Sequence, residues 1–156
     1  MLTCNQAKRA SKGGNNLNQQ NLNILLLTHG KAGEALIESA EMIAGKLENV
    51  NAISLMPGIA PEKYTEEVRK ELSGYCGETI IFCDIFGGTP SYVAAELSVD
   101  FNISLFSGLN LAMLLEACLS KNVDNIHELV ASIKRVGDTS CVLVQSEALK
   151  KGATHE

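Results

Sequence analysis

Residues 24 to 30 read Ile24-Leu25-Leu26-Leu27-Thr28-His29-Gly30, an apolar run that ends in a histidine and a glycine. A second apolar run, residues 79–83, ends in the same way at Asp84. Runs of this kind, each followed by a helical pattern, are typical of strands that are buried on both faces of a parallel sheet. In open α/β sheets, ligands and reacting groups collect beyond the carboxyl ends of the strands. The sequence therefore predicts an imidazole and a carboxylate at one edge of one sheet.

Strand-like and helix-like patterns alternate along the chain in the order βαβαβαβααβ. The predicted strands cover residues 24–28, 50–55, 79–83, 103–106 and 141–145. Glycine and proline mark several helix ends, with Pro61 at a start and Gly45 and Gly74 at stops. We expect Thr89 to cap a helix whose first residue is Pro90.

The other helices are predicted from apolar stripes. The first, which runs to residue 44, carries its stripe on Ala32, Leu36, Ala40 and Ile43. The last is expected to begin with Asp124 as its cap.

Alternating strands and helices predict an α/β fold with an open, doubly wound and mainly parallel sheet. Right-handed crossovers place helices on both faces of such a sheet. An order of about 2-1-3-4 makes the strands that end at His29 and Asp84 neighbours. The final strand follows two successive helices, so it is expected either to pair antiparallel at an edge or to pair with another subunit.

Composition and charge are those of one ordinary globular domain. The chain has 156 residues, of which 46% are hydrophobic and 20% are charged, with a net charge of -5. The first 20 residues carry Lys8, Arg9 and Lys12 but no acid, so the remainder is the more acidic part and nucleic acid is not an expected partner. The expected organisation is a disordered polar tail at 1–20, an α/β domain at 21–146 and a polar tail at 147–156.

Neither a secretory signal nor a bilayer-spanning apolar stretch is found in the sequence, which favours a cytoplasmic protein. The cysteines are odd in number and form no CxxC pair, so buried reduced thiols fit better than disulfides or a zinc site. They are Cys4, Cys76, Cys83, Cys118 and Cys141.

The site predicted at the strand ends suits nucleophilic chemistry by histidine. One nitrogen of a neutral imidazole can attack while Asp84 holds the other, protonated nitrogen of His29. Backbone N–H groups at the starts of the helices after Gly30 and Thr89 attract anions. The glycine pair at 87 and 88 allows close approach of the backbone, and the Thr89 hydroxyl can donate to a phosphoryl oxygen. His127 and His155 are expected to be surface residues.

Other interpretations of these residues remain open at this point. Each feature alone has an ordinary structural explanation: His29 as a structural histidine, GGTP as a turn and helix start, and Asp84 as a capping residue. The joint occurrence of the three features favours a function. The chain has neither GxxxxGK[ST] nor GxGxxG after its first strand, which argues against P-loop and dinucleotide enzymes. Two phosphatase classes would need an acid where Phe86 stands or an arginine where Thr28 stands. A metal site of His29, Asp84 and a thiol has no supporting ligand spacing.

With these residues in hand, the chain resembles the mannose-family enzyme IIA domain of the bacterial phosphoenolpyruvate-dependent sugar phosphotransferase system (PTS). The resemblance runs through about residues 23–136, and THG together with DxFGGTP makes it specific. The matching stretches are Leu26-Leu27-Thr28-His29-Gly30, Ala40-Glu41-Met42-Ile43-Ala44-Gly45, Glu48-Asn49-Val50, Met56-Pro57-Gly58, Asp84-Ile85-Phe86-Gly87-Gly88-Thr89-Pro90, and Ser107-Gly108-Leu109-Asn110-Leu111-Ala112-Met113-Leu114.

The resemblance implies that His29 accepts a phosphoryl group from the histidine-containing phosphocarrier protein and passes it to an enzyme IIB partner. It implies that Asp84 orients the histidine and that Thr89 lies beside the phosphoryl group, and it implies no nucleotide or metal cofactor. It further implies a homodimer in which the last strand is exchanged. The family commonly has Phe-Asn after GG[TS]P, where this chain has Ser91-Tyr92, so a side-chain amide near the pocket is missing.

Two other functions stay open for the same domain. One is the phosphotransfer subunit of a dihydroxyacetone kinase, in which the recipient is a nucleotide held by another protein. The other is a non-catalytic regulatory module that keeps His29 only as a sensor. The sugar itself cannot be identified from the sequence, because enzyme IIA does not contact it in this scheme.

Overall fold

A four-stranded parallel sheet forms the centre of the computed structural model, which describes residues 22–120 and 125–144. Its strands are β1 (Leu22–His29), β2 (Val50–Leu55), β3 (Glu78–Cys83) and β4 (Ile103–Ser107). They hydrogen-bond in the order β2-β1-β3-β4, and each neighbouring pair is parallel. The predicted order 2-1-3-4 is confirmed.

Five helices in the described ranges cover the two faces of the sheet, which confirms the doubly wound α/β fold. They are α1 (Ala32–Ala44), α2 (Pro61–Gly74), α3 (Thr89–Leu97), α4 (Leu111–Leu119) and α5 (Ile126–Thr139). One core joins α1, α4 and α5 to the sheet, and a second core joins α2 and α3 to its other face.

Alternating side chains of the central strands supply both cores. Leu26 and Phe82 belong to the α1, α4 and α5 side, whereas Leu25 and Ile81 belong to the α2 and α3 side. This explains why the two central strands are apolar almost throughout. On the second face, the fully buried Tyr64 is hydrogen-bonded, because its Oη donates to the Ile53 carbonyl at 2.9 Å.

The starts of two helices differ from the sequence prediction. Thr89 is the first residue of α3 and makes no capping hydrogen bond, while the extended residue before it is Gly88. Pro90 therefore occupies the second helical position. Asp124 lies outside the described residues, and the side chain that caps α5 is Asn125, which accepts the Glu128 N–H at 3.0 Å.

The buried stripe of α1 is rotated from the predicted one. Gly33 and Ala40 are its buried residues, whereas Ile43 is 63% exposed. At 100° per residue, Ile43 lies about 80° from the direction of Gly33, at the margin of the contact face. Gly33 lies at the centre because its missing side chain lets the helix approach the sheet, where a Cβ atom would come 3.1 Å from the Ala52 Cβ.

The predicted final strand is not formed in the described part of the C-terminus. Residues 141–144 have no strand hydrogen bonding and are exposed. Val142, Leu143 and Val144 are 67%, 82% and 64% exposed, so this chain's own core does not cover them. A strand without an adjacent partner has no ladder to join, which accounts for the difference.

Several expectations fall on residues outside the described ranges. They concern the tails at 1–20 and 147–156, Cys4, Gln145 and His155. Among the helices that are described, none has the length and apolar content of a membrane span.

Candidate functional site

His29 and Asp84 meet at the carboxyl edge of the two central strands. His29 is the last residue of β1, and Asp84 follows β3 directly. The parallel register pairs Leu27 with Cys83, which brings the two strand ends side by side. The Asp84 Oδ2 atom accepts the His29 backbone N–H at 2.8 Å and lies 2.9 Å from the imidazole Nδ1. The structure thus brings together the two residues that the sequence singled out.

The Asp84 carboxylate is fixed by its surroundings. Its second oxygen, Oδ1, accepts the Ile85 N–H at 2.8 Å. Partial burial alone would raise the pKa of this carboxyl, but the hydrogen bonds from the His29 N–H, the imidazole and the Ile85 N–H outweigh it, and the pKa is lowered. Asp84 is therefore ionised at neutral pH and can only accept hydrogen bonds. It follows that Nδ1 of a neutral His29 carries the proton and that Nε2 holds the free lone pair.

Gly88 lies against the imidazole on the side of Nε2. A Cβ atom at Gly88 would come 2.7 Å from His29 Cε1 and 3.4 Å from Nε2. The first distance is shorter than any ordinary carbon contact, so only glycine allows the ring and this backbone to lie so close. The His29 side chain is nevertheless 47% exposed, which leaves the ring open to an incoming group.

In the described loops next to His29, some backbone N–H groups are hydrogen-bonded and others are free. The Gly30 N–H donates to the Leu55 carbonyl at 3.0 Å, and the Gly87 N–H donates to Ser91 Oγ at 3.0 Å. These two glycines, which have φ values of +58° and +81°, therefore shape the loops. Within residues 22–120 and 125–144, the N–H groups of Gly88 and Thr89 have no acceptor. They stand at the N-terminus of α3, where the helix dipole favours an anion.

Two buried hydroxyl residues support the loops that carry the site, and sequence reasoning missed both roles. Thr28 Oγ1 accepts the Gly33 N–H at 2.9 Å and donates to the Gly30 carbonyl at 3.2 Å. Ser91 Oγ donates to the Gly88 carbonyl at 2.8 Å. The sequence signal for such a role is a hydroxyl residue within a few positions of a loop glycine, because these side chains often hydrogen-bond to the backbone of the loop.

Exposed apolar side chains occur on the loops and helix start next to the site. Ile85 and Phe86 follow Asp84, Met56 follows β2, and Tyr92 lies in the first turns of α3. Their exposed fractions are 58%, 88%, 39% and 69%, respectively. We call these four residues the apolar rim. Exposed apolar side chains that cluster near a site are typical of interaction surfaces.

The remaining titratable residues do not extend this site. His127 is exposed on α5 and is not a part of it. Over the described ranges, no group of three or more His, Cys, Asp or Glu residues is arranged to hold a metal ion. The described cysteines are free, and burial raises the pKa of the Cys83 thiol to about 12, which makes it a poor nucleophile.

Comparison with known proteins finds a matching family and related sequences. The model of the family described as "PTS system fructose IIA component" matches residues 23–134. The mannose-specific EIIAB component of the PTS from Escherichia coli K12 is 30% identical over 134 residues, which are 83% of this chain and 42% of that protein. The chain therefore spans about two-fifths of the length of that relative.

Two solved structures are similar over most of their length. The PTS component EIIA from Streptococcus agalactiae has a TM-score of 0.73 at 30% identity, and the match covers 78% of this chain and 96% of that one. The mannose/sorbose-specific IIA subunit from Enterococcus faecalis has a TM-score of 0.75 at 27% identity, with 80% and 96% covered.

Proposed function

This chain belongs to the mannose family of PTS enzyme IIA components, and we propose that it works as a phosphocarrier that is phosphorylated on His29 Nε2. The observation that carries the proposal is the 2.9 Å contact between Nδ1 and the ionised Asp84, which leaves Nε2 as the free nucleophile. Gly88 and the exposed ring face provide space beside that nitrogen.

The proposed reaction is the transfer of a phosphoryl group between two histidines. The Nε2 lone pair attacks the phosphorus atom of the donor, the donor's P–N bond breaks, and its electron pair returns to the donor imidazole. The Nδ1 proton stays on His29, and the Asp84 carboxylate stabilises the positive charge that develops on the ring. Transfer to the recipient reverses these steps.

The phosphorylated histidine carries about -1.5 to -2 additional charge, which needs compensation. We assign this role to the Gly88 and Thr89 N–H groups and to the dipole of α3. The Thr89 hydroxyl is a further donor, and Gly30 and Gly87 set the loop shapes that leave the space open. Positioning and charge stabilisation are the main requirements of phosphoryl transfer.

The proposed partners are the histidine-containing phosphocarrier protein as donor and an enzyme IIB as recipient, both in the cytoplasm. Each must bring its own reactive group to the same nitrogen, so one surface has to serve both in turn. The apolar rim suits this use, because its residues lie on the segments next to His29 and Asp84 and its side chains are exposed. We further propose a homodimer that exchanges the strand predicted over residues 141–145.

Labelling with phosphoenolpyruvate and the general PTS proteins tests the proposal. We expect an acid-labile, alkali-stable label in the wild type and none in His29→Ala. The matched control is His127→Ala, which removes an exposed histidine outside the site and should leave labelling unchanged. A label that persists in His29→Ala would refute the assignment.

Chasing the label distinguishes the recipients. Release of the label to enzyme IIB supports the transporter role. Release only to a nucleotide-binding kinase subunit would assign the chain to a dihydroxyacetone kinase system. A label that passes to neither recipient would indicate a regulatory module in which His29 is a sensor.

A further inference from the structure

Ser91 hydrogen-bonds to two peptide groups of the loop that faces His29, one on each side of the Gly87–Gly88 peptide bond. Its Oγ accepts the Gly87 N–H at 3.0 Å and donates to the Gly88 carbonyl at 2.8 Å. The Ser91 N–H donates to the same carbonyl at 3.0 Å. The residue is 6% exposed, so water has little access to replace these hydrogen bonds.

The loop needs such a tie because it consists of two glycines. Gly87 has a φ value of +81°, and glycine is the residue with the largest conformational freedom to lose on ordering. Of the two residues before the glycines, Phe86 is 88% exposed and contributes little packing. Among the described side chains, Ser91 is the one that hydrogen-bonds to this glycine pair.

Resting on the proposed function, we propose that Ser91 is a positioning residue for phosphoryl transfer. The Gly88 carbonyl also accepts the Tyr92 N–H at 3.1 Å, whereas the hydroxyl is the group that joins this carbonyl to the Gly87 N–H. By fixing both ends of the glycine pair, the hydroxyl holds the backbone of Gly88 against the imidazole and sets the direction of the Gly88 and Thr89 N–H groups. The hydroxyl does not contact the phosphoryl group. It acts through the loop, whose placement decides whether the donors meet the charge that develops during transfer.

Ser91→Ala is the first test, because it removes the hydroxyl and leaves no larger side chain in the site. We expect the maximal labelling rate at saturating donor phosphocarrier to fall about tenfold, with the donor KM within twofold of wild type, since the apolar rim is untouched. Ser91→Thr keeps a hydroxyl and should recover most of the lost rate. Ser98→Ala is the matched control. Ser98 caps the other end of α3, and its Oγ also donates to a backbone carbonyl of the helix, that of Ala95, at 2.7 Å.

A second measurement is independent of phosphoryl transfer. Amide hydrogen exchange at Gly87 should become at least about tenfold faster in Ser91→Ala, because this N–H loses its acceptor. Unchanged exchange together with an unchanged maximal rate would overturn the proposal, as would a rate loss that Ser91→Thr fails to recover. Faster exchange in a protein whose wild type takes no label would preserve the loop tie and refute the proposed function instead.

Discussion

The two ring nitrogens of His29 have different surroundings: Nδ1 contacts Asp84, and Nε2 lies beside Gly88. A substitution at Gly88 therefore tests the role of Nε2. The φ value of Gly88 is -81°, so alanine fits the backbone there, but its methyl group would lie 2.7 Å from His29 Cε1. We expect Gly88→Ala to displace the imidazole and to reduce the labelling rate by about 100-fold, the loss that a misplacement of about 1 Å produces. Urea unfolding should show that the variant remains folded.

Gly74→Ala provides the control for that substitution. Gly74 lies at the end of α2, and an added Cβ atom there would have no neighbour within 4 Å. Its labelling rate should equal that of the wild type. Equal rates for Gly88→Ala and Gly74→Ala would mean that the close contact with the ring has no importance for transfer.

Asp84 links the site to the pH dependence of stability. Its pKa in the folded protein is lowered, so its contribution is present in full above the unfolded pKa of about 3.9 and is lost as the pH falls through the folded value. We expect Asp84→Asn to lower the free energy of unfolding at pH 7 by about 1–2 kcal/mol. Urea titrations of both proteins should show this difference shrinking as the pH falls below about 4.

Asp100→Asn controls for the loss of one negative charge. Asp100 forms an exposed ion pair with Arg69 at 2.7 Å, and such pairs contribute at most about 1 kcal/mol. A difference between Asp84→Asn and wild type that stays constant from pH 7 to pH 2 would contradict the role of the carboxylate hydrogen bonds.

Among the elements, the β1–α1 connection depends on one buried hydroxyl. Thr28 is fully buried, and its Oγ1 accepts the N–H of Gly33 in the first turn of α1. Thr28→Val keeps the shape but leaves that N–H unpaired, so the free energy of unfolding should fall by about 1–2 kcal/mol. Thr65→Val is the control, because the Thr65 hydroxyl is exposed and bonds only within α2. An equal effect of both substitutions would contradict this role.

The elements also show which features a sequence can predict. Apolar runs predict the four strands of the sheet, and the order 2-1-3-4 is the doubly wound arrangement that makes the strand ends at His29 and Asp84 neighbours. The predicted stripe of α1 is rotated from the observed one, because Gly33 has no apolar side chain to mark it in the sequence and its role comes from the close packing of the helix on Ala52. The loop roles of Thr28 and Ser91 were missed because hydrogen bonds to loop amides depend on backbone geometry, which residue type alone does not specify.

At the scale of the whole molecule, an open sheet edge and an exposed apolar C-terminal segment favour association of two copies of the chain. Within the described residues β4 hydrogen-bonds to β3 on one side only, so its outer edge is open. Val142, Leu143 and Val144 are apolar and exposed, and alternate side chains of a strand face opposite sides. A segment of this kind, added to the open edge of a second copy, would bury its apolar side chains and complete the strand predicted over 141–145.

We therefore expect the wild type to have twice the chain mass in sedimentation at micromolar concentration, and Leu143→Asp to shift it toward the monomer. A charge buried without a partner in the new strand pairing opposes association. Val99→Asp is the matched control, because Val99 is 87% exposed outside any strand and should leave the dimer intact. Labelling of His29 should survive in the Leu143→Asp monomer, because the hydrogen bonds to Asp84 lie within one chain. A wild type that sediments as a monomer would exclude strand exchange while leaving the phosphocarrier site unaffected.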